Sequence, residues 1–121
     1  DGIVVMGRRT MESLPGRHPL VGRTNVVLSR TVQALDGFYT VPDISALWRL
    51  LGQLTAEEER PIFVIGGAEC YHLLLPYVWR AYVTRLSGSY DADVFFPSLD
   101  GFSMTSSRAG KDCIFEVYER V

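Results

Sequence analysis

Residues 3–10, Ile3-Val4-Val5-Met6-Gly7-Arg8-Arg9-Thr10, pass from four consecutive apolar side chains into a glycine, two arginines and a hydroxyl. A short, unbroken apolar run closed by a turn signal reads as a strand buried on both faces. The segment 61–68, Pro61-Ile62-Phe63-Val64-Ile65-Gly66-Gly67-Ala68, is built the same way: buried strand, glycines, helix start. Strands that end in glycines and open helices suit anion binding, because unpaired backbone N–H groups and the positive helix end point at one spot. Glycine permits close approach of the backbone, and Arg8, Arg9 and Thr10 add charge and a donor. Two such turns suit a diphosphate. Either one alone also reads as an ordinary turn with solvated arginines. Neither GxGxxG nor GxxxxGK[ST] occurs, so the standard dinucleotide fingerprint and the P-loop are both absent.

Outward from these two stretches, Met11 to Leu14 reads as a short helix ended by Pro15-Gly16, and His18 to Gly22 as a loop. Arg23 to Ser29 and Phe38 to Val41 read as strands. Pro42-Asp43 opens a helix in which Ile44, Leu47, Leu50, Leu51 and Leu54 recur at helical spacing, with Asp43 as cap. After the solvated run Thr55 to Arg60 comes the strand Pro61 to Ile65. A helix then buries Cys70, Leu73 and Leu74 and stops at Pro76. Strands are expected at Trp79–Leu86, Val94–Phe96 and Cys113–Val121. Strand and helix alternate first and strands alone follow. This order predicts an α/β fold with a sheet that is parallel at its start and antiparallel at its end. With no linker or repeat, residues 1–121 read as one domain.

The chain has 121 residues, 47% hydrophobic and 21% charged, an ordinary globular composition. A formal charge of −2 argues against a nucleic-acid partner, whose phosphates call for a basic face. Every apolar run is far shorter than the ~20 residues of a membrane-spanning helix. A soluble, cytoplasmic protein is expected. Cys70 and Cys113 sit in apolar runs and read as buried free thiols rather than a disulfide or metal pair, and His18 and His72 are too isolated to suggest a metal site. Met6, the first methionine, lies inside the first strand. Residues upstream of Asp1 are therefore expected.

Taken together, several blocks resemble the dihydrofolate reductase family. They are Val5 to Leu14 (VMGRRTMESL), Pro19 to Arg30 (PLVGRTNVVLSR), Phe63 to Tyr71 (FVIGGAECY), Tyr82-Val83-Thr84, Asp93 to Pro97 (DVFFP) and Phe115 to Arg120 (FEVYER). The order and separations match across nearly the whole chain. The resemblance implies a mixed, mostly parallel central sheet flanked by helices, with an antiparallel C-terminal hairpin. It also implies NADPH as cofactor. Gly7, Arg8, Arg9 and Thr10 match the loop that receives its phosphates, and Arg8, Leu28, Ser29 and Arg30 the adenosine end, where cations favour the 2′-phosphate. Ile65, Gly66, Gly67, Ala68, Glu69, Cys70 and Tyr71 match the second phosphate-contacting turn, which in the family contains a cis Gly-Gly bond.

On the substrate side, Arg23 matches the arginine that grips the α-carboxylate of the folate tail, a planar fork against a carboxylate. Leu14 and Leu20 match contacts to the benzoyl ring, Ile65 and Tyr71 stand beside the pterin and nicotinamide, and Thr84 matches a hydroxyl that supports the catalytic carboxylate. For the leucines, Ile65 and Tyr71, core packing is the plain alternative. Met11 stands where the family commonly has tryptophan. The implied reaction is hydride transfer to dihydrofolate, with antifolates as further ligands, a monomer and no metal. The family's catalytic acid lies on a helix preceding Asp1. Glu12 and Asp93 match other positions and are not promoted to it. An absent first strand would sit inside the family's sheet and leave two neighbouring strands with open edges. Two other readings stay open: a riboflavin-pathway reductase of the same fold, and a non-catalytic nucleotide- or folate-binding fragment.

Overall fold

A computed structural model describes residues 2–31, 35–86, 99–111 and 113–121, which group into two compact units, 1–71 and 72–121. In the first, strand β1 (Ile3–Gly7) runs directly into helix α1 (Arg8–Ser13), followed by a single 3-10 turn at Pro15–Arg17. Strands β2 (Thr24–Leu28) and β3 (Phe38–Val41), helix α2 (Ile44–Leu54) and strand β4 (Ile62–Gly66) follow, and helix α3 (Ala68–Leu74) straddles the division. The four strands form one sheet in the order β3-β2-β1-β4, and every pairing is parallel. Ile3 to Met6 are all buried, as the unbroken apolar run requires of a central strand. Val4, Met6 and Val27 form one cluster with Met11. Ile3, Val5 and Val26 point the other way by strand alternation and are equally buried.

Helix α2 follows its sequence pattern. The Asp43 carboxylate accepts the Ala46 backbone N–H at 2.8 Å, and Leu47 and Leu51 are its buried side chains. Helix α1 begins three residues before the expected Met11. Gly7 is its N-cap, and the polar Arg8-Arg9-Thr10 form a first turn that buries little, so only Met11 carried an apolar signal. Strand ends also move by a residue: Arg23 and Ser29 flank β2, and Pro61 flanks β4, which instead takes in Gly66.

The second unit is an antiparallel sheet in the order β5-β7-β6, from β5 (Arg80–Leu86), β6 (Phe102–Gly110) and β7 (Cys113–Arg120). A 3-10 turn at Leu75–Tyr77 ends α3 ahead of Pro76. Strand β6 was not among the expected strands. Its Ser103–Gly110 segment is exposed throughout, so no alternation marks it, and pairing with β7 defines it. The Arg120 guanidinium lies 4.7 Å from the Phe102 ring centre and donates to the carbonyls of Val78 (2.9 Å) and Leu75 (2.6 Å). Strands β4 and β5 are edge strands of their respective sheets. The expected strand Val94–Phe96 lies outside the described residues. Both cysteines are free thiols, Cys70 buried and Cys113 half-buried. Among the described residues no helix is long and apolar enough to cross a membrane.

Candidate functional site

The strand order places β2 and β3 on one side of β1 and β4 on the other, so the order of strands reverses between β1 and β4. In parallel sheets such a switch point, outside the carboxyl ends of the strands, is where ligands bind. Both glycine turns are there. A side-chain carbon built on Gly7 would lie 3.7 Å from the Gly67 nitrogen and 3.8 Å from the Gly66 oxygen, so about one methyl group's width separates the two turns. Gly66 has φ +133°, a conformation L residues rarely adopt, and a Cβ there would meet Thr10 Oγ1 at 3.0 Å and lie 3.7 Å from the Tyr71 hydroxyl. Gly67 likewise faces Thr10 Oγ1, at 3.6 Å. The Gly66–Gly67 bond is cis.

Around this close approach, Arg8 and Arg9 are exposed, and no side chain caps α1 at Gly7. Leu28 pairs with Gly7, so Arg8 and Ser29 each follow directly on the last paired residues of two neighbouring strands, with Arg30 next in the chain. Ser29 is anchored through its N–H to the Val41 carbonyl at 2.9 Å, and Arg30 is exposed. After the second turn, Ala68 and Glu69 start α3 and Tyr71 donates its N–H to the Gly67 carbonyl at 3.0 Å. Cys70 turns its thiol into packing, and burial pushes its pKa up to about 11. Burial, and then the neighbouring Cys70, raise that of Tyr71.

Leu14, Leu20 and Ile65 come together as half-buried side chains packed on the cluster of Val4, Met6, Met11 and Val27. Ile65 occupies the extra position of a bulge, since Val64 pairs with Val5 and Gly66 with Met6. Arg23 is exposed and lies one residue before β2, five positions from Leu28, about 16 Å along the sheet at ~3.3 Å per residue. A ligand reaching both Arg23 and the glycine turns must be elongated. Thr84 pairs with Phe115 in the other unit, and its side chain lies outside what is described, as does Asp93.

The profile of the family described as dihydrofolate reductase matches residues 1–120. The chain belongs to the dihydrofolate reductase family. It is 40% identical over 103 residues to a putative dihydrofolate reductase of Caenorhabditis elegans, an alignment covering 80% of this chain and 54% of the relative. It is 42% identical over 101 residues to the dihydrofolate reductase of Mycobacterium leprae, covering 80% and 59%. With that of Staphylococcus haemolyticus it shares 30% over 133 residues, covering 98% and 73%. The chain spans about half the length of the nematode and Drosophila melanogaster relatives, 54% and 55%.

Within this dihydrofolate reductase fold the sequence reading passed over Asn25, which is 2% exposed. The signal was present: a polar residue inside a β-branched run, at the inward parity of Val27. It also passed over Arg60, whose guanidinium donates to Thr24 Oγ1 at 2.6 Å and ties the start of β2 to the residues before β4. Among the described residues no group of three His, Cys, Asp or Glu could hold a metal ion.

Proposed function

We propose that the chain serves the NADPH-dependent reduction of 7,8-dihydrofolate to 5,6,7,8-tetrahydrofolate, as a cytoplasmic monomer in one-carbon metabolism. The observation that carries this reading is the close approach of Gly7 to Gly66 and Gly67 at the switch point of a parallel sheet. Those three residues form a cradle that side chains would fill, which fits a pyrophosphate approached by backbone. The Thr10 hydroxyl beside Gly66 and Gly67 is a donor at the same place. Arg8 and Arg30, leaving adjacent strands, offer two guanidinium groups to a 2′-phosphate and so favour NADPH over NADH. When bound, that cofactor supplies the hydride.

The remaining residues orient the substrate. Leu14, Leu20 and Ile65 present apolar surface for the aromatic rings, and Arg23 grips the tail carboxylate at the far end of an elongated pterin-benzoyl-glutamate. The Tyr71 hydroxyl next to Gly66 borders the reacting rings, with its proton held by burial. Thr84 supports the proton-donating carboxylate. No carboxylate in residues 1–121 is assigned that acid role.

The test is a titration with a glutamate-tailed antifolate, methotrexate, with and without NADPH, beside a spectrophotometric assay of NADPH oxidation by dihydrofolate. The expected result is antifolate binding strengthened by the cofactor, with NADPH preferred over NADH. Binding of NADPH without binding of the antifolate overturns the folate reading.

A further inference from the structure

Asn25 is the buried polar side chain among the described residues, at 2% exposure, and three hydrogen bonds occupy its amide. Its Oδ1 accepts the Leu20 backbone N–H at 2.9 Å, and its Nδ2 donates to the Leu20 carbonyl and to the Arg23 carbonyl, both at 3.0 Å. One side chain thus satisfies both polar backbone groups of Leu20 and the carbonyl of Arg23, closing the loop between them from within the sheet. Within that loop Val21 is 94% exposed, and Gly22 has φ +76°, where a side-chain carbon would meet nothing within 4 Å. Immediately beyond, the Thr24 N–H donates to the Gly2 carbonyl at 3.0 Å.

We infer that Asn25 is the positioning residue for substrate-tail recognition: its amide clamp fixes the spacing between the apolar contact Leu20 and the guanidinium of Arg23. The inference rests on the proposed folate reading, in which Leu20 meets the benzoyl ring and Arg23 the carboxylate. An asparagine is suited to this task. Aspartate of the same shape accepts from Leu20 N–H but turns an oxygen toward two carbonyls, and leucine leaves three polar backbone groups unmatched.

The experiment uses the protein as its gene encodes it and two probes, methotrexate with its glutamate tail and a 2,4-diaminopyrimidine antifolate lacking any carboxylate. Asn25→Asp and Asn25→Ser are expected to weaken the tailed probe about tenfold, the scale of a misplaced charge-assisted hydrogen bond, and the tailless probe by less than about threefold. With dihydrofolate, KM rises by a similar factor while kcat changes little. In an Arg23→Ala background the Asn25 substitution adds no further tail-selective loss, because the two act through one contact. Should the Asn25 variants fail to fold, Gly22→Ala strains the same loop through its positive φ, its Cβ meeting nothing within 4 Å, and is expected to show the same selectivity. Equal weakening of both probes by whichever variant folds, or losses that add to that of Arg23→Ala, overturns the inference and leaves the folate reading standing. If Arg23→Ala itself shows no tail selectivity, the folate reading falls and takes the inference with it.

Discussion

A Cβ on Gly66 would sit 3.0 Å from Thr10 Oγ1 on a backbone at φ +133°, so a tight contact and an unfavourable conformation act together at one position. Gly66→Ala is expected to destabilise the protein by about 1–3 kcal/mol, the usual range for a residue forced into such a region, and to abolish measurable NADPH binding. Urea denaturation and a nucleotide fluorescence titration check the two effects separately. Cys70 gives a pH prediction. Burial raises its thiol from 9.0 to about 11, so the native protein holds this proton more tightly than the unfolded chain does. The resulting stability is fully present below pH 9.0 and is lost as pH rises through about 11. Tyr71, raised by burial from 10.0, acts in the same direction. The urea midpoint should therefore fall over this alkaline window, and less steeply in Cys70→Ala. Identical pH profiles for the two proteins would assign the loss elsewhere.

At the scale of elements, Asp43 offers a clean measurement because its carboxylate caps α2 at 2.8 Å from Ala46 N and is not among the residues assigned to the cofactor. Asp43→Ala should destabilise by ~1 kcal/mol, Asp43→Asn by much less, and neither should change KM for NADPH. Thermal melts beside steady-state kinetics read both. This helix was legible in sequence for the same reason that it is stable: a capping residue followed by leucines at helical spacing. Strand β1 was legible because a central parallel strand is buried on both faces and shows no alternation to misread. The start of α1 and the whole of β6 were not. Their residues are largely exposed, so their structure follows from a neighbour, Gly7 as N-cap in one case and β7 in the other, with no apolar pattern of their own. The glycine turns were legible as a pair suited to a diphosphate, and the crossover that places β4 beside β1 is what brings them together. Asn25 escaped notice because its partners are backbone groups, which carry no residue identity.

At the scale of the molecule, packing among the described residues is unevenly distributed, and this sets which of them open first. Among the described residues the fully buried large side chains, Ile3, Val5, Met6, Asn25, Val26, Val27 and Leu47, belong to the first unit, whereas β6 is exposed from Ser103 to Gly110. Local opening free energy follows buried contact, so amides of β1 and β2 should exchange only through global unfolding, and the β6 amides bonded to β7 through a cheaper, separate opening. Hydrogen exchange followed by mass spectrometry resolves the two classes, and uniform protection across both sheets would show that the units open as one. Ligand sharpens the contrast. NADPH at a hundredfold excess over its Kd adds about 2.7 kcal/mol to any opening that destroys its site. Because the glycine turns lie at the carboxyl ends of β1 and β4, that increment should appear in β1, β2 and β4 and be absent from β6. An equal increment in β6 would count against confining the proposed nucleotide site to these turns.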